Sequence, residues 1–403
     1  MLMRFLPKQS FFKNKQVLLR VDFNVELRKN RVLDDFRIRQ TLPTIKYLQK
    51  NAARLVLISH LSNETESLAP VAKHLAKLSR RKVFFVPGKI SSAAKLVNAL
   101  PKKSVVLLEN LRFDKGEKAN QPAFARKLAG LADVFVFDAF GVSHRKDASV
   151  VGVPKLLPSF AGLLMENELK SLEKLKKQAK KPFVAIFGGA KMETKLPLIK
   201  NFAKRARATP EALVRRADYV LLGGALANTF LKAKGVNVGK SLYEKKFVSR
   251  AKKLLKNKKI ILPDDYLVAQ SLGSRTSHLF SVVSHKLSVG GYIGDIGPTS
   301  TKEFSKIISR AKTIIWNGPM GYYENPVFAR ATFEVAKAVL ANKKAFKIIG
   351  GGDTTAFLKN AKLPITNYQL PNLFISTGGG AMLEYLSGKE LPGVAVLEKS
   401  WKR

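Results

Sequence analysis

Short apolar runs alternate with longer amphipathic stretches along nearly the whole of this chain. Residues 17–21 (VLLRV), 54–59 (RLVLIS), 82–86 (KVFFV), 104–108 (SVVLL) and 133–138 (DVFVFD) read as strands. Between them, stretches such as 38–50 and 68–79 repeat their apolar residues at helical spacing. Runs of Val, Ile and Phe without polar alternation are buried on both faces, and intervening helices make such strands parallel. The rhythm starts afresh at 182–187 (PFVAIF) and continues through 218–222, 259–262, 313–317, 346–350 and 372–376. One open sheet does not carry so many buried strands comfortably, so two parallel-sheet α/β domains are expected. Residues 161–181 fall between the two sets. Their Leu164, Leu169, Leu172 and Leu175 lie at helical spacing, which predicts a long helix joining the domains. Residues 205–216 (RARATPEALVRR) read as an insertion, with Thr209-Pro210-Glu211 as a helix start.

Composition narrows the chemistry. The chain has no cysteine, which excludes disulfides, thiolate nucleophiles and thiolate zinc sites together. Its five histidines show no HExxH-like spacing. No stretch approaches the ~18 uninterrupted apolar residues of a membrane span, and the apolar residues at the start are too broken up for a signal peptide. A cytoplasmic protein is the expectation. The formal net charge of +43 favours anionic partners. The lysines, however, are scattered, as in 176–181 and 252–259, and fit solvated faces better than one binding tail. Weak, sequence-independent nucleic-acid binding stands as the alternative use of that charge.

Five strands of the second set run straight into glycine: FGGAK (187–191), LGGA (222–225), WNGPMG (316–321), GGGDTT (350–355) and STGGGA (376–381). In open parallel sheets ligands sit beyond the carboxyl ends of the strands. Glycine there lets backbone N–H groups approach a phosphate, and a following helix N-terminus favours negative charge. Asp353, after three glycines, suits either a magnesium ion or a helix cap. Lys191 and Lys195 bracket the second half of GGAKMETK and share a helix face if the helix starts there. GVNVGKS (235–241) is one residue short of a P-loop and follows a helical stretch, so it reads as a helix end and loop.

Polar residues also interrupt the strand ends of the first set. Asp22 and Asn24 follow the first strand, His60 the second, Arg112 and Arg145 two others, and Arg37 and Arg39 open a helix. If those ends share one sheet edge the arginines converge. Guanidinium forks suit a small, multiply anionic ligand. An arginine pocket in one half and phosphate loops in the other point to phosphoryl transfer.

These motifs resemble, in order, those of the phosphoglycerate kinase family. They are RVDFN (20–24), DDFRIRQTLPTI (34–45), SHL (59–61), SLAPVA (67–72), LLENLRF (107–113), DAFGVSHR (138–145), AGLLMENEL (161–169), GGAK (188–191), WNGPMG (316–321) with Glu324, GGGDT (350–354) and STGGGAMLEYLSGKELPGV (376–394). The resemblance covers nearly the whole chain. It implies two Rossmann-like three-layer domains flanking a cleft: residues 1–160 binding 3-phosphoglycerate, a linking helix over 161–181, residues 182–386 binding MgADP or MgATP, and 387–403 returning to the first domain. It implies reversible transfer between 1,3-bisphosphoglycerate and MgADP by a monomer. Carried over motif by motif, Asp22, Asn24, Arg37, His60, Arg112 and Arg145 hold phosphoglycerate. Lys195, Glu324, Gly351, Gly352, Asp353 and Thr354 contact nucleotide, with Asp353 nearest the magnesium and Glu324 on the ribose. Lys191 and Arg37 meet the transferring phosphoryl group. The resemblance departs at Asn63, where the family places a substrate arginine; Lys89 is the expected replacement cation. Ala225 and Asp264 also depart from it. The rival readings are another small-molecule carboxylate kinase on this scaffold and a basic nucleic-acid binder.

Overall fold

A computed structural model describes residues 4–203, 217–281, 291–361, 363, 370 and 372–400. The segment read as an insertion, 205–216, lies outside them. The strands in chain order are β1 (Gln16–Val21), β2 (Leu27–Arg28), β3 (Arg31–Val32), β4 (Arg54–Ile58), β5 (Val83–Val86), β6 (Val105–Leu108), β7 (Val134–Asp138), β8 (Ser159–Ala161), β9 (Phe183–Phe187), β10 (Tyr219–Leu222), β11 (Ile260–Ile261), β12 (Asp265–Ala269), β13 (His278–Ser281), β14 (Tyr292–Ile296), β15 (Thr313–Asn317), β16 (Phe346–Gly350) and β17 (Leu373–Ile375). They form two six-stranded sheets, ordered β5-β6-β4-β1-β7-β8 and β11-β10-β9-β15-β16-β17. Every pairing in both sheets is parallel.

The apolar runs explain the interior positions. Val17, Leu18 and Leu19 on β1 are wholly buried, as are Val184, Ala185 and Ile186 on β9. Each large apolar side chain buried this way contributes ~1.5–3 kcal/mol relative to exposure. Trp316 on β15 and Ile349 on β16 anchor the core of the second sheet. Two features carried no signal in the sequence pattern. One is the β2–β3 hairpin. The other is a separate antiparallel sheet ordered β13-β12-β14, with a register shift between Leu267 and Val268.

The chain divides into two compact units, one comprising residues up to Lys170 and from Lys389 onward, the other Ser171–Gly388. The division falls inside a single helix, Leu163–Gln178. That helix buries Leu164, Met165, Leu169, Leu172 and Leu175 at the expected spacing. Its first turn is caught by Asp138, the last residue of β7, which accepts the Met165 N–H at 3.1 Å. The final helix, Pro392–Ser400, belongs to the first unit, where Gly393 N–H donates to the Ser143 carbonyl. Lys252, Lys253, Lys256 and Lys258 of the basic run are exposed. No described helix is long and apolar enough to cross a membrane.

Candidate active site

In the first unit, β1, β4, β6 and β7 end side by side, and the predicted polar residues gather there. Asp22, directly after β1, is 3% exposed and pairs with Arg37 Nη1 at 3.2 Å. Arg37 Nη1 also donates to the Asn24 carbonyl. Asn24 Oδ1 in turn accepts the Ser62 N–H at 2.6 Å, tying the loop after β4 to the loop after β1. Arg112 Nη1 donates to the carbonyls of Leu61 and Ser62, and its Nε is buried without a hydrogen-bond partner. Burial first, then the charges of Arg20, Arg145 and Arg37, holds the His60 imidazole well below its ordinary pKa. That all three cations act on one imidazole is the electrostatic sign of their convergence.

The centre of this network is a residue that sequence reasoning passed over. Arg20, inside β1, is wholly buried. It donates from Nε to Ser149 Oγ at 2.8 Å and from Nη1 to the Val21 carbonyl at 2.6 Å, and it meets His60 Nδ1 from Nη2 at 3.1 Å. A guanidinium only donates, so His60 Nδ1 accepts and the imidazole proton sits on Nε2. That N–H is buried with no hydrogen-bond partner in the structure. Ser149 passes the network to Glu117, which is 1% exposed and accepts both the Ser149 N–H and hydroxyl. The available signal was a charged residue inside the otherwise apolar run VLLRV, because an arginine is almost never fully buried without partners.

Other expectations for this half change. Arg39 does not join the cluster: it pairs with Asp35 one turn away, on the exposed side of helix Phe36–Gln49. Asn63 is exposed, and its Oδ1 accepts the N–H and hydroxyl of Thr65, a local turn. Lys89 starts the helix after β5, the edge strand, with β6 between it and β4. Two strand spacings of about 4.8 Å each separate β5 from β4, the strand that precedes the Asn63 loop. Among the described residues the cations that meet that loop are Arg112, on the Leu61 and Ser62 carbonyls, and Lys118, which pairs with Glu64.

In the second unit the glycine loops end five contiguous strands, β10, β9, β15, β16 and β17, at one sheet edge. They brace one another through backbone bonds, Gly189 N–H to the Pro319 carbonyl and Gly224 N–H to the Met320 carbonyl. Gly318, at φ +97°, shows why glycine is needed: a Cβ there would lie 2.3 Å from the Gly188 carbonyl oxygen and 2.8 Å from Lys195 Nζ. Helices Gly224–Ala233 and Gly352–Asn360 start from these loops with glycine at the cap and no side-chain cap hydrogen bond; in the first, the Gly224 and Leu226 N–H groups already donate to the Met320 and Gly189 carbonyls, so the start of helix Gly352–Asn360 is the one suited to an anion.

Lys195 is buried in the first turn of helix Met192–Ala203, and its Nζ donates to the Gly188 carbonyl. Burial lowers its pKa to about 8; Asp353 opposes the fall and Lys191 adds to it. Lys191 precedes the helix and is exposed, so the two lysines do not share a face as the spacing suggested. Asp353 stands exposed in the first turn of its helix, and the cap position is Gly351. Thr354 is wholly buried, with Oγ1 accepting the Gly318 N–H at 2.7 Å. That hydroxyl braces the loop after β15. A cavity of about 300 Å³ opens among these loops; Glu324 and Asp353 lie on its wall, and β12 and β14 close it with Tyr266, Tyr292 and Ile293. GVNVGKS is the expected helix end: Gly235 at φ +88° donates to Lys232, and Val236 donates to Leu231.

An arginine-rich strand-end cluster on one parallel sheet, and on another a glycine-walled cavity with a buried lysine in the adjoining loop, define a kinase of small metabolites. Comparison with known proteins agrees. The family model for phosphoglycerate kinase matches residues 8–389. A phosphoglycerate kinase from Aquifex aeolicus is 44% identical over 402 residues, covering 96% of each chain. One from Thermosipho africanus is 43% identical over 406 residues, covering 97% of this chain and 96% of the relative. The crystal structure of phosphoglycerate kinase from Pyrococcus horikoshii matches with a TM-score of 0.86 at 31% identity, over 99% of both chains. That from Coxiella burnetii matches with a TM-score of 0.78 at 34% identity, over 96% of this chain and 97% of the other. The chain belongs to the phosphoglycerate kinase family.

Proposed function

We infer that this chain catalyses reversible phosphoryl transfer between 1,3-bisphosphoglycerate and MgADP, giving 3-phosphoglycerate and MgATP. The observation that carries the reading is that Lys195 and Lys191, at the start of one helix, interact electrostatically with Asp353 at the glycine-capped start of another, in a chain that also gathers Arg37, Arg112, Arg145 and His60 near the strand ends of the first unit. In the forward direction an ADP β-phosphate oxygen attacks the phosphorus of the acyl phosphate, and the substrate carboxylate leaves. Both nucleophile and leaving group are ionised at neutral pH, so no general base is required. His60 fits that account, since its Nδ1 is engaged by Arg20 and burial keeps it neutral. Catalysis is then positioning and charge neutralisation.

In the first unit, Asp22 and the Asn24 carbonyl orient the Arg37 fork toward the substrate. Arg112, Arg145 and His60 Nε2–H bind the phosphoglycerate anion. In the second unit, Lys195 and the backbone N–H groups at Gly351 and Gly352 hold nucleotide phosphates, and Glu324 holds the ribose. Lys191 meets the transferring group. Among the described residues, no three or more His, Cys, Asp or Glu side chains are grouped to hold a metal. The site fits an ion held chiefly by phosphates and water, with Asp353 as the protein carboxylate. Magnesium bound there would neutralise charge on the nucleotide phosphates. The reading extends to a monomer acting in the cytoplasm.

A coupled assay with 3-phosphoglycerate and MgATP tests this directly, with turnover expected. Turnover of a different carboxylate alone would favour the rival kinase reading. In the same assay, Asn63→Arg should lower the KM for phosphoglycerate about tenfold or more, the scale of one charged hydrogen bond. Lys89→Ala should leave it unchanged. An unchanged KM in Asn63→Arg would show that this loop position does not face the substrate.

Lys195 supplies a pH signature. Its pKa is depressed to about 8, so it loses its proton as pH rises through that value while an ordinary lysine would keep it. Only the protonated form attracts phosphate. The kcat/KM for MgATP should therefore fall on an alkaline limb near pH 8. Lys195→Arg, which stays charged, should remove that limb. A limb unchanged in Lys195→Arg assigns it to another group.

A further inference from the structure

At the amino ends of β4, β6 and β5, the end of the first sheet away from Asp22 and His60, a cavity of about 480 Å³ opens at the surface. It is lined by Lys46, Gln49, Lys50, Arg81 and Lys103. Lys46 and Gln49 lie in the last turn of helix Phe36–Gln49, and Lys50 follows it. Arg81 stands two residues before β5 and Lys103 two residues before β6. β4 has five residues and β6 four. At about 3.3 Å per residue, this end of the sheet is roughly 13–17 Å from the other.

The lining offers four cations and one amide, with no carboxylate. Between Phe36 and Leu108 the only acidic residues are Glu64 and Glu66, and both follow β4 at the other end of the sheet. Among the described residues none of the four cations has an ion-pair partner. Helix C-termini attract cations, which accounts for some of this charge. The ends of helices Phe36–Gln49 and Ala69–Ser79 supply about half a negative charge each, so about three positive charges stay uncompensated. The backbone beneath them is held. Arg54 donates to the Asn98 and Leu100 carbonyls, the Lys103 N–H to the Ala53 carbonyl and the Arg81 N–H to the Ala76 carbonyl. Seven described residues other than glycine have positive φ. Four are asparagines, which tolerate it, and Lys29 turns the β2–β3 hairpin. The other two are Lys103 and Arg80, beside Arg81. Glycine would adopt that conformation with less strain, yet long cations stand there.

We propose that this basin binds a short chain of linked phosphates, at a site separate from the arginine cluster at the other end of the sheet. Its volume falls within the range of small-molecule sites. The Lys46, Lys50 and Lys103 ammonium groups, the Arg81 guanidinium and the Gln49 amide all donate, and phosphate oxygens only accept. Four cations match an oligophosphate, whereas a single orthophosphate carries too little charge to engage them all. The lining has no aromatic ring, so the bases of a single strand find no stacking platform. It has no apolar side chain either, so a nucleoside or lipid tail attached to the phosphates gains nothing by burial there. Recognition rests on the phosphate chain alone.

The test is calorimetric titration of inorganic tripolyphosphate into the full chain, without magnesium, at about 0.1 M salt, where long-range attraction between exposed charges is largely screened. Three proteins are compared: the wild type, Lys50→Gln/Lys103→Gln, and Lys252→Gln/Lys253→Gln. The last removes the same charge from the exposed basic run of the second unit. All four lysines are exposed, so each variant should fold. The basin variant should bind tripolyphosphate at least about tenfold more weakly than wild type, the scale of one charged hydrogen bond, and the control within about twofold of it. Orthophosphate should bind wild type at least about tenfold more weakly than tripolyphosphate does. The kcat and KM for phosphoglycerate and MgATP should be the same in all three proteins. Equal weakening in the two variants would mean diffuse surface charge and overturns the proposal. So does an unchanged affinity in the basin variant, no binding to wild type, or orthophosphate bound as tightly as tripolyphosphate. A loss in the basin variant seen with a single-stranded oligoribonucleotide but not with tripolyphosphate also overturns it, in favour of a phosphodiester strand.

Discussion

Lys191→Ala should lower kcat for phosphoglycerate phosphorylation by about 100-fold or more, the scale for losing one oriented charge donor at a phosphoryl group. Lys191 is exposed just before helix Met192–Ala203, so far-UV circular dichroism and urea stability should be unaffected. Arg37→Ala should cause a kcat loss of the same order, but with a second effect. Asp22 is nearly inaccessible and pairs with Arg37, so its carboxylate would lose that bond and ~1–3 kcal/mol of stability should go with it. The split between a purely kinetic variant and one that is both kinetic and unstable separates the two roles. A folded variant of either residue with near-native kcat would remove that residue from the mechanism.

Arg20→Ala should be among the most destabilising single changes in the first unit, at about 3–5 kcal/mol. Burial pushes the Arg20 guanidinium down and the Glu117 carboxyl up, and each is the other's counter-charge across Ser149. Removing one partner leaves a buried charge uncompensated. Adding Glu117→Gln should recover part of the loss, because the remaining buried group is then neutral. Urea unfolding of the single and double variants measures this. An Arg20→Ala midpoint close to that of the parent chain would show that the network carries no net stability.

That network also marks the limit of what the residue pattern reveals. The parallel strands were legible because their runs are apolar at every position, as in Val105–Leu108 and Phe183–Phe187, and burial on both faces leaves no other reading. β12 to β14 were not. They are short and antiparallel, β14 is interrupted by Gly294, and Leu279 of β13 is 61% exposed, so neither continuous burial nor clean alternation appears. Yet β12 and β14 supply the cavity wall with Tyr266 and Tyr292. Residue type placed Asp22 and His60 at strand ends and Arg37 at a helix start. It could not place Arg39 on the solvent side, turn Lys195 inward, or spend the Thr354 hydroxyl on a backbone N–H. Those outcomes depend on where a helix begins to within one residue, which periodicity does not resolve.

The glycines around the nucleotide pocket fall into two kinds with different evolutionary latitude. Gly224 and Gly318 are closed to any side chain by the protein itself: both have positive φ, and an added Cβ would meet the Gly189 nitrogen at 2.5 Å and the Gly188 carbonyl oxygen at 2.3 Å, respectively. Gly352 and Gly380 face nothing within 4 Å. A saturation library sorted only for folded, protease-resistant protein should therefore be depleted of replacements at 224 and 318 but rich in small ones at 352 and 380. Re-sorting the survivors for growth that depends on the enzyme should then empty 352 as well if, as proposed, its N–H holds a nucleotide phosphate, whereas 380 should stay rich in small replacements.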